Sequence, residues 1–344
     1  MNPVKKYTLA VLDMLAGGMP LPGLINISGK HLFLPFYHIV TDEYAPHIEH
    51  IYPVRNIALF KADLDYLLRH FTPIDAVQLS DIASGNKKLE KNSFFLSFDD
   101  GLREVHDIVA PILLEKGIPA TFFINTGFID NKDLFYRYKA SLLVDFILKH
   151  EIHHWEKLNQ VTGLTGRNTE ALKKYILGID CANKTSLDRV AEVLGFSFAN
   201  WLAENKPYLT ASQIKDLHDK GFGIGAHSID HPLFSSIQFE EQCRQAEESI
   251  IQLQHDFRVP VKTFAFPFTD SGVSLKFFDF LLNGNPPVAD LSFGTAGLKN
   301  DSHPHHWQRF PIEGTLKPAH KLVKAEYFYF ILKSLAGKGT IKRK

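Results

Sequence analysis

Two pairs of residues in this sequence have the types and the spacing to do chemistry. One is Asp99-Asp100, followed directly by Gly101. The other is His227 and His231, four positions apart in His227-Ser228-Ile229-Asp230-His231. Two imidazoles and one carboxylate are a sufficient set for Zn²⁺ with one position left open to water. The second carboxylate is then free to move a proton. Taken alone, each pair has an ordinary explanation. Asp-Gly is a common turn dipeptide, and a chain with 17 histidines will place some of them four apart by chance.

The surroundings of both pairs change that weighting. Phe94 to Phe98 is a nearly continuous apolar run, which reads as a strand buried on both faces. Asp99 and Asp100 stand at its carboxyl end. Side chains alternate across a strand, so adjacent carboxylates diverge unless the backbone bends. Gly101 can supply such a bend. Phe222 to Ala226 reads as another short strand, and His227 comes directly after its carboxyl end. In α/β barrels that end of the strands forms the active site.

The elements that would position these groups can be read along the chain. His31–Tyr37 reads as a first strand ending at His38, with Pro35 suited to an edge or a barrel seam. Phe60–Phe71 has helical spacing. After the strand at 94–98, Glu104–Lys116 reads as a helix with Gly117 at its C-cap, and 118–125 as the next strand. Residues 131–209 break the rhythm and look helical, an insertion opened by Phe135, Tyr136, Arg137 and Tyr138. Thr210-Ala211-Ser212-Gln213 is a capping-box pattern. Helices are expected at Phe239–Phe257, Leu275–Leu282 and Pro318–Leu335, and strands at Val261–Phe266, Val288–Phe293 and Trp307–Ile312. Seven strand candidates alternating with helices predict an α/β fold, a parallel barrel or an open sheet. The domain reading is an N-terminal segment 1–29, a single barrel domain 30–336 interrupted by 131–209, and a frayed tail 337–344.

Composition narrows the function. The chain has 344 residues, with 38 basic and 38 acidic side chains. That balance argues against a nucleic-acid partner. Cys181 and Cys243 are too few for a disulfide framework. Asp13 and Gly17-Gly18-Met19-Pro20 interrupt the early apolar run, so no secretory signal is read and a cytoplasmic location is expected. No stretch reaches the ~18 apolar residues of a membrane span. Residues 7–16 could form a short amphipathic helix, packed on the body or in peripheral contact with a membrane.

At this point the motifs carry a resemblance. Ser97-Phe98-Asp99-Asp100-Gly101 resembles the T-F-D-D-G motif of the polysaccharide deacetylases, the NodB-homology family or carbohydrate esterase family four. His227-Ser228-Ile229-Asp230-His231 is similar to that family's H-[ST]-x-x-H motif. The likeness spans about residues 30–315 outside the insertion. It implies a distorted (β/α)7 barrel with a helical insertion and a divalent metal, Zn²⁺ foremost, with Co²⁺, Ni²⁺ or Mn²⁺ as other candidates. It also implies Asp100, His227 and His231 as ligands, Asp99 as catalytic base, and a carbohydrate substrate bearing an N-acetyl amino sugar.

Two parts of the family pattern are missing. The R-x-P-[FY] motif survives only as Phe266-Pro267-Phe268, without its arginine, and Arg309 in the last strand is the candidate to hold Asp99 instead. The Leu-x-His motif of the general acid is absent. His303, His305 and His306 precede the last strand as weak candidates, and His38 at the mouth of the first strand could line the pocket. Ser228 would brace the histidine loop. The activity expected is removal of an N-acetyl or related acyl group from an amino sugar in a polysaccharide, oligosaccharide or lipid- or nucleotide-linked precursor. The alternative is a carbohydrate-binding relative that has lost turnover. A two-His-one-carboxylate Fe(II) oxygenase is a third reading, disfavoured because the alternating pattern is not the all-β fold usual there.

Overall fold

The computed structural model describes residues 18–313 and 315–343, so the helix expected at 7–16 lies outside the described residues. The expected barrel is present. Its strands are β1 (Pro35–Tyr37), β2 (Leu96–Phe98), β3 (Ala120–Ile124), β4 (Gly223–Ala226), β5 (Thr263–Ala265), β6 (Leu291–Gly294), β7 (His306–Gln308) and β8 (Phe310–Pro311). All pair in parallel, in the order β7-β6-β5-β4-β3-β2-β1-β8. The two ends of that order are one run of chain, broken only at Arg309. β7 pairs with β6 and β8 with β1, so the single expected strand at 307–312 serves both sides of the seam. Pro35 sits at this seam opposite Phe310, as its missing N–H predisposes it to do.

The abundance of phenylalanine has a physical reason. Residues of one parity point into the barrel, and Phe95, Phe123 and Phe293 fill it with ring centroids 5.2 and 5.3 Å apart around Phe293. The opposite parity, including Phe98, Phe122, Ile224 and Phe264, packs outward against the helices in one continuous core. Both faces of the strands β2, β3, β5 and β6 are therefore buried, which explains the absence of polar alternation there. Helix Leu21–Ser28 contributes Leu21, Leu24 and Ile25 to this core.

The insertion holds five helices: Tyr136–Lys149, Trp155–Thr162, Thr169–Gly178, Thr185–Leu194 and Phe198–Asn205. They gather around a second apolar core of their own. The exit of the insertion is strapped to the turn after β2. Leu209 N donates to Gly101 O (3.0 Å), and Arg103 N donates to Pro207 O (2.8 Å).

Two local expectations need correction. The helix read from Glu104 begins as a π-helical turn, Val105–Val109, before regular α-helix at Ala110–Lys116. The tail read as frayed is tied down: Thr340–Ile341 pairs with Asn300–Asp301, and Arg343 bonds both Asp270 and Asp301. Distant carboxylates hold a segment whose own composition promises no structure.

Candidate active site

Backbone geometry resolves the problem of the adjacent carboxylates. Ser97 and Asp99 share the inward parity of β2. Asp100 would face the helices, but it takes a left-handed conformation (φ 74°), and Gly101 continues it (φ 65°). The bend thus starts one residue earlier than the glycine alone suggests. Aspartate tolerates this conformation better than most residues, at some cost in strain. Gly101 also lies close to Ile124, whose Cγ2 would be 3.1 Å from an added Cβ.

The histidine loop is braced from several sides. His227 N donates to Ile124 O (2.9 Å) at the end of the β3–β4 ladder. Ser228 Oγ accepts from His231 N (3.0 Å), closing the loop on itself. Asn125 Nδ2 bonds His227 O, and Gln245 Oε1 accepts from Ile229 N (2.9 Å). Gly127 N donates to Ile229 O, and an added Cβ at Gly127 would sit 2.8 Å from that oxygen. Both histidines are thus held on a braced turn, with left-handed φ at Ser228 and His231.

These elements bring Asp100, His227 and His231 together, all buried, with one potential ligand atom from each lying within 4.8 Å of the others. Asp100 Oδ1 is 3.2 Å from His231 Nε2 and 3.5 Å from His227 Nε2. His227 Nδ1 lies 2.8 Å from Ala265 O, an arrangement that leaves Nε2 for the cluster. Asp100 Oδ2 accepts from Tyr138 Oη (2.7 Å). Asp100 Oδ1 is buried and has no hydrogen-bond partner, nor has His231 Nδ1. A buried carboxylate oxygen left unpaired is costly, and a cation would satisfy it.

Protonation states agree with that fit. Burial pushes the His231 pKa down, outweighing the pull of Asp100, which favours the uncharged ring. Burial raises the Asp100 pKa, but His231 and the facing imidazoles hold it well below the carboxylate range. Burial keeps the Tyr138 hydroxyl protonated and able to donate. A second cluster, Asp270, Asp301 and His306, has ligand-like spacing too. Its carboxylates are already matched by Arg343 and by Gln308, so it reads as a buried ion-pair network.

Asp99 is held by the arginine at the seam. Arg309 Nη1 donates to Asp99 Oδ1 (2.6 Å) and Nη2 to Oδ2 (2.8 Å), while Nη1 also reaches Ser97 Oγ (3.0 Å). The guanidinium lies over the Phe36 ring at 4.4 Å, capping the aromatic filling of the barrel. Burial raises the Asp99 pKa; Arg309 and then His227 more than reverse this, and the net is downward. The pair's contribution to stability is complete above the ordinary carboxylate pKa of about 4. It is lost as pH falls through the lowered folded value. Arg309→Met is expected to lower turnover with metal content intact and to move the acid limb of the pH–rate profile upward, since Asp99 then meets burial without its cation. An unshifted limb would show that Arg309 does not control Asp99.

Two residues that hold this site have bonds that the sequence does not disclose. Glu313, buried just beyond β8, accepts from His38 N (2.8 Å) and bonds His38 Nδ1. Tyr138 falls at the start of the insertion, but nothing in the sequence marks its hydroxyl. Its stack on Tyr208 and its burial accord with helical spacing; its bond to Asp100 does not. Tyr138→Phe is expected to weaken divalent-metal binding about 10–100-fold, measured by competition with a chelating dye. Unchanged affinity would mean that the hydroxyl only packs.

The cavity over these groups has a volume of about 670 Å³ and is lined by His38, Tyr52, Phe135, Arg137, Phe268 and Lys299 as well as the Asp and His residues. Phe135 and Phe268 bracket His231, with centroids at 4.4 and 4.6 Å. Pro267 does not line the cavity; its carbonyl accepts from Thr269 N (2.6 Å) in the turn that presents Phe268. His303, His305 and His306 are likewise not among its lining residues. His306 is buried against Ser292 and Asp270, which excludes it as the acid of this cleft.

The polar cleft opens at the carboxyl ends of the barrel strands, where enzymes built on such barrels place their sites. Residues 86–176 match the family model described as polysaccharide deacetylase. Among solved structures, IcaB from Ammonifex degensii is similar at 16% identity and a TM-score of 0.53, covering 86% of this chain and 97% of that one. The Streptococcus pyogenes deacetylase PplD in complex with acetate is similar at 13% identity, TM-score 0.53, over 86% and 97% of the two chains. A de-N-acetylase from Aggregatibacter actinomycetemcomitans gives 13% identity and a TM-score of 0.51, over 84% and 98%. No curated protein sequence matches the chain. The resemblance carried by the two motifs is borne out: residues 86–176 match the polysaccharide deacetylase model, and the fold is shared with solved deacetylase structures.

Proposed function

We propose that the protein is a divalent-metal-dependent hydrolase that removes an N-acetyl or related acyl group from an amino sugar. The observation that carries this is the pairing of Asp99, gripped by a buried arginine, with Asp100, whose inner oxygen is buried and unpartnered beside two imidazoles. Asp100, His227 and His231 would hold the metal, Zn²⁺ by their chemistry. When bound, it polarises the acyl carbonyl and makes water a better nucleophile near neutral pH.

The remaining chemistry belongs to the chain. Asp99, ionised by Arg309, takes a proton from the attacking water as its oxygen bonds to the acyl carbon. The carbon–nitrogen bond then breaks, and the departing nitrogen needs a proton. His38 supplies it. Burial lowers its pKa, but Glu313 overcomes this and the net is up to about 9, so the ring is an imidazolium at neutral pH. The products are a carboxylic acid and a free amine, which balances one water consumed.

The sign of the resulting pH dependence is fixed. Activity needs His38 protonated, so it falls as pH rises through about 9. Glu313→Gln removes the group that raises the His38 pKa, and the alkaline limb should move to lower pH. A limb that stays in place would remove His38 as the acid. The two missing motifs are the ground for a non-catalytic relative. Arg309 on Asp99 and the His38–Glu313 pair supply the groups whose absence motivates that alternative.

The test is acetate release from N-acetylglucosamine and its oligomers. Release should be abolished by a chelator and restored by Zn²⁺ or Co²⁺. Release that is indifferent to chelation would overturn the metal-dependent reading. No helix among the described residues is long and apolar enough to cross a membrane.

A further inference from the structure

The cleft contains more positive charge than its own acids can balance. Two of its carboxylates are paired with cations, Asp99 with Arg309 and Glu313 with His38, and Asp100 accepts from Tyr138 at Oδ2 and turns Oδ1 to the two imidazoles. Two further cations line the same cavity, Arg137 and Lys299, and neither meets a carboxylate among the described residues. Both are half-buried. Like charges partly removed from water around one cavity repel each other, and an anion reaching both relieves them.

Each cation is presented from a fixed support. Arg137 stands in the first turn of helix Tyr136–Lys149, and its Nη1 donates to Leu177 O (2.8 Å). That contact orients the guanidinium plane and leaves other N–H groups to donate. Lys299 comes after a loop anchored at three successive residues. Ala296 N donates to Gln308 Oε1 (2.7 Å), Gly297 N to Arg309 O (3.0 Å), and Leu298 N to Glu326 Oε1 (3.1 Å). Tyr52, Phe135 and Phe268 add flat apolar faces to the same cavity, whose volume is in the range of small-molecule sites.

We propose that the cleft selects N-acyl amino sugars carrying a phosphate on or beside the sugar, with Arg137 and Lys299 as the phosphate-binding cations. This rests on the deacetylase reading for the sugar and on the two unpaired cations for the phosphate. A sugar 1-phosphate, a nucleotide-linked sugar and a polyprenyl-diphosphate-linked sugar share this chemistry. A neutral polymer would leave both charges uncompensated.

The experiment compares binding and turnover of neutral N-acetylglucosamine with N-acetylglucosamine 1-phosphate, UDP-N-acetylglucosamine and a short polyprenyl-diphosphate N-acetylglucosamine. Binding is read by calorimetry. At least one phosphorylated sugar should bind about tenfold or more tightly than the neutral one, with the advantage shrinking as salt rises. Which of the three gains most identifies the source of the phosphate. The ratio of phosphorylated to neutral affinity should fall about tenfold in Lys299→Gln and again in Arg137→Gln. Because Arg137 also bonds Leu177, Lys299→Gln is the variant that tests the idea without touching the insertion. Equal affinity for neutral and phosphorylated sugars overturns the subsite, and so does a preference that persists in both variants. A variant-sensitive preference without acetate release leaves the subsite standing and removes the deacetylase reading. Turnover of neutral sugars with no phosphate advantage does the reverse.

Discussion

Asp99→Asn is expected to slow deacetylation about 10²–10⁴-fold while the chain still binds one divalent metal. The substitution keeps the shape of the side chain and removes its capacity to take a proton. Asp99 and Asp100 are neighbours, but the left-handed turn at Asp100 gives them different targets. Asp99 Oδ2 lies 3.9 Å from His227 Nε2, while both its oxygens are bound by Arg309. A carboxylate so held is ionised and oriented but is not needed to complete the ligand set. Metal content near that of the parent, measured by elemental analysis, separates loss of the base from loss of the site. Parental activity in Asp99→Asn on a verified substrate would show that another group takes the proton.

His231→Ala should remove stoichiometric metal and, with it, activity. Three protein ligands with one open position are the usual provision of a catalytic zinc site, and two bind far more weakly. His231 is held by Ser228 Oγ at its backbone and by Phe135 and Phe268 at its ring, so truncation leaves a small apolar gap rather than a substitute ligand. A site-specific effect is distinguished from unfolding by thermal melting of the chelated proteins. Parent and variant should then melt closely together, because neither carries the ion. Full metal retention in His231→Ala would contradict the ligand assignment.

Local signals in the sequence suffice to locate the barrel strands and the two motifs, though not the breaks within His31–Tyr37 and Trp307–Ile312. Placing Asp99-Asp100 and His227 at carboxyl ends needs only a buried apolar run and the polar residues that terminate it. The helices Phe239–Phe257 and Leu275–Leu282 fall where their spacing predicts them. Pairings between distant segments are harder to read. Arg309 can be suggested for Asp99 from its strand, yet the break it makes between β7 and β8 is a property of barrel closure. Glu313 carries no local mark at all, because its partner His38 lies at the opposite end of the chain. Tyr138 looks like any core residue of an amphipathic helix, since periodicity reports burial and not the bond of a hydroxyl. Arg343 belongs to a Lys/Gly-rich end, and only the two aspartates it meets give it a place.

Whether Asp100, His227 and His231 hold a cation is read most directly by anomalous diffraction from a crystal soaked in zinc. One strong peak is expected, bounded by Asp100 Oδ1 and the two imidazoles, with Asp99 beside it and still bound by Arg309. A peak at Asp270, Asp301 and His306 instead, or none at the triad at a zinc concentration that supports activity, would contradict the assignment.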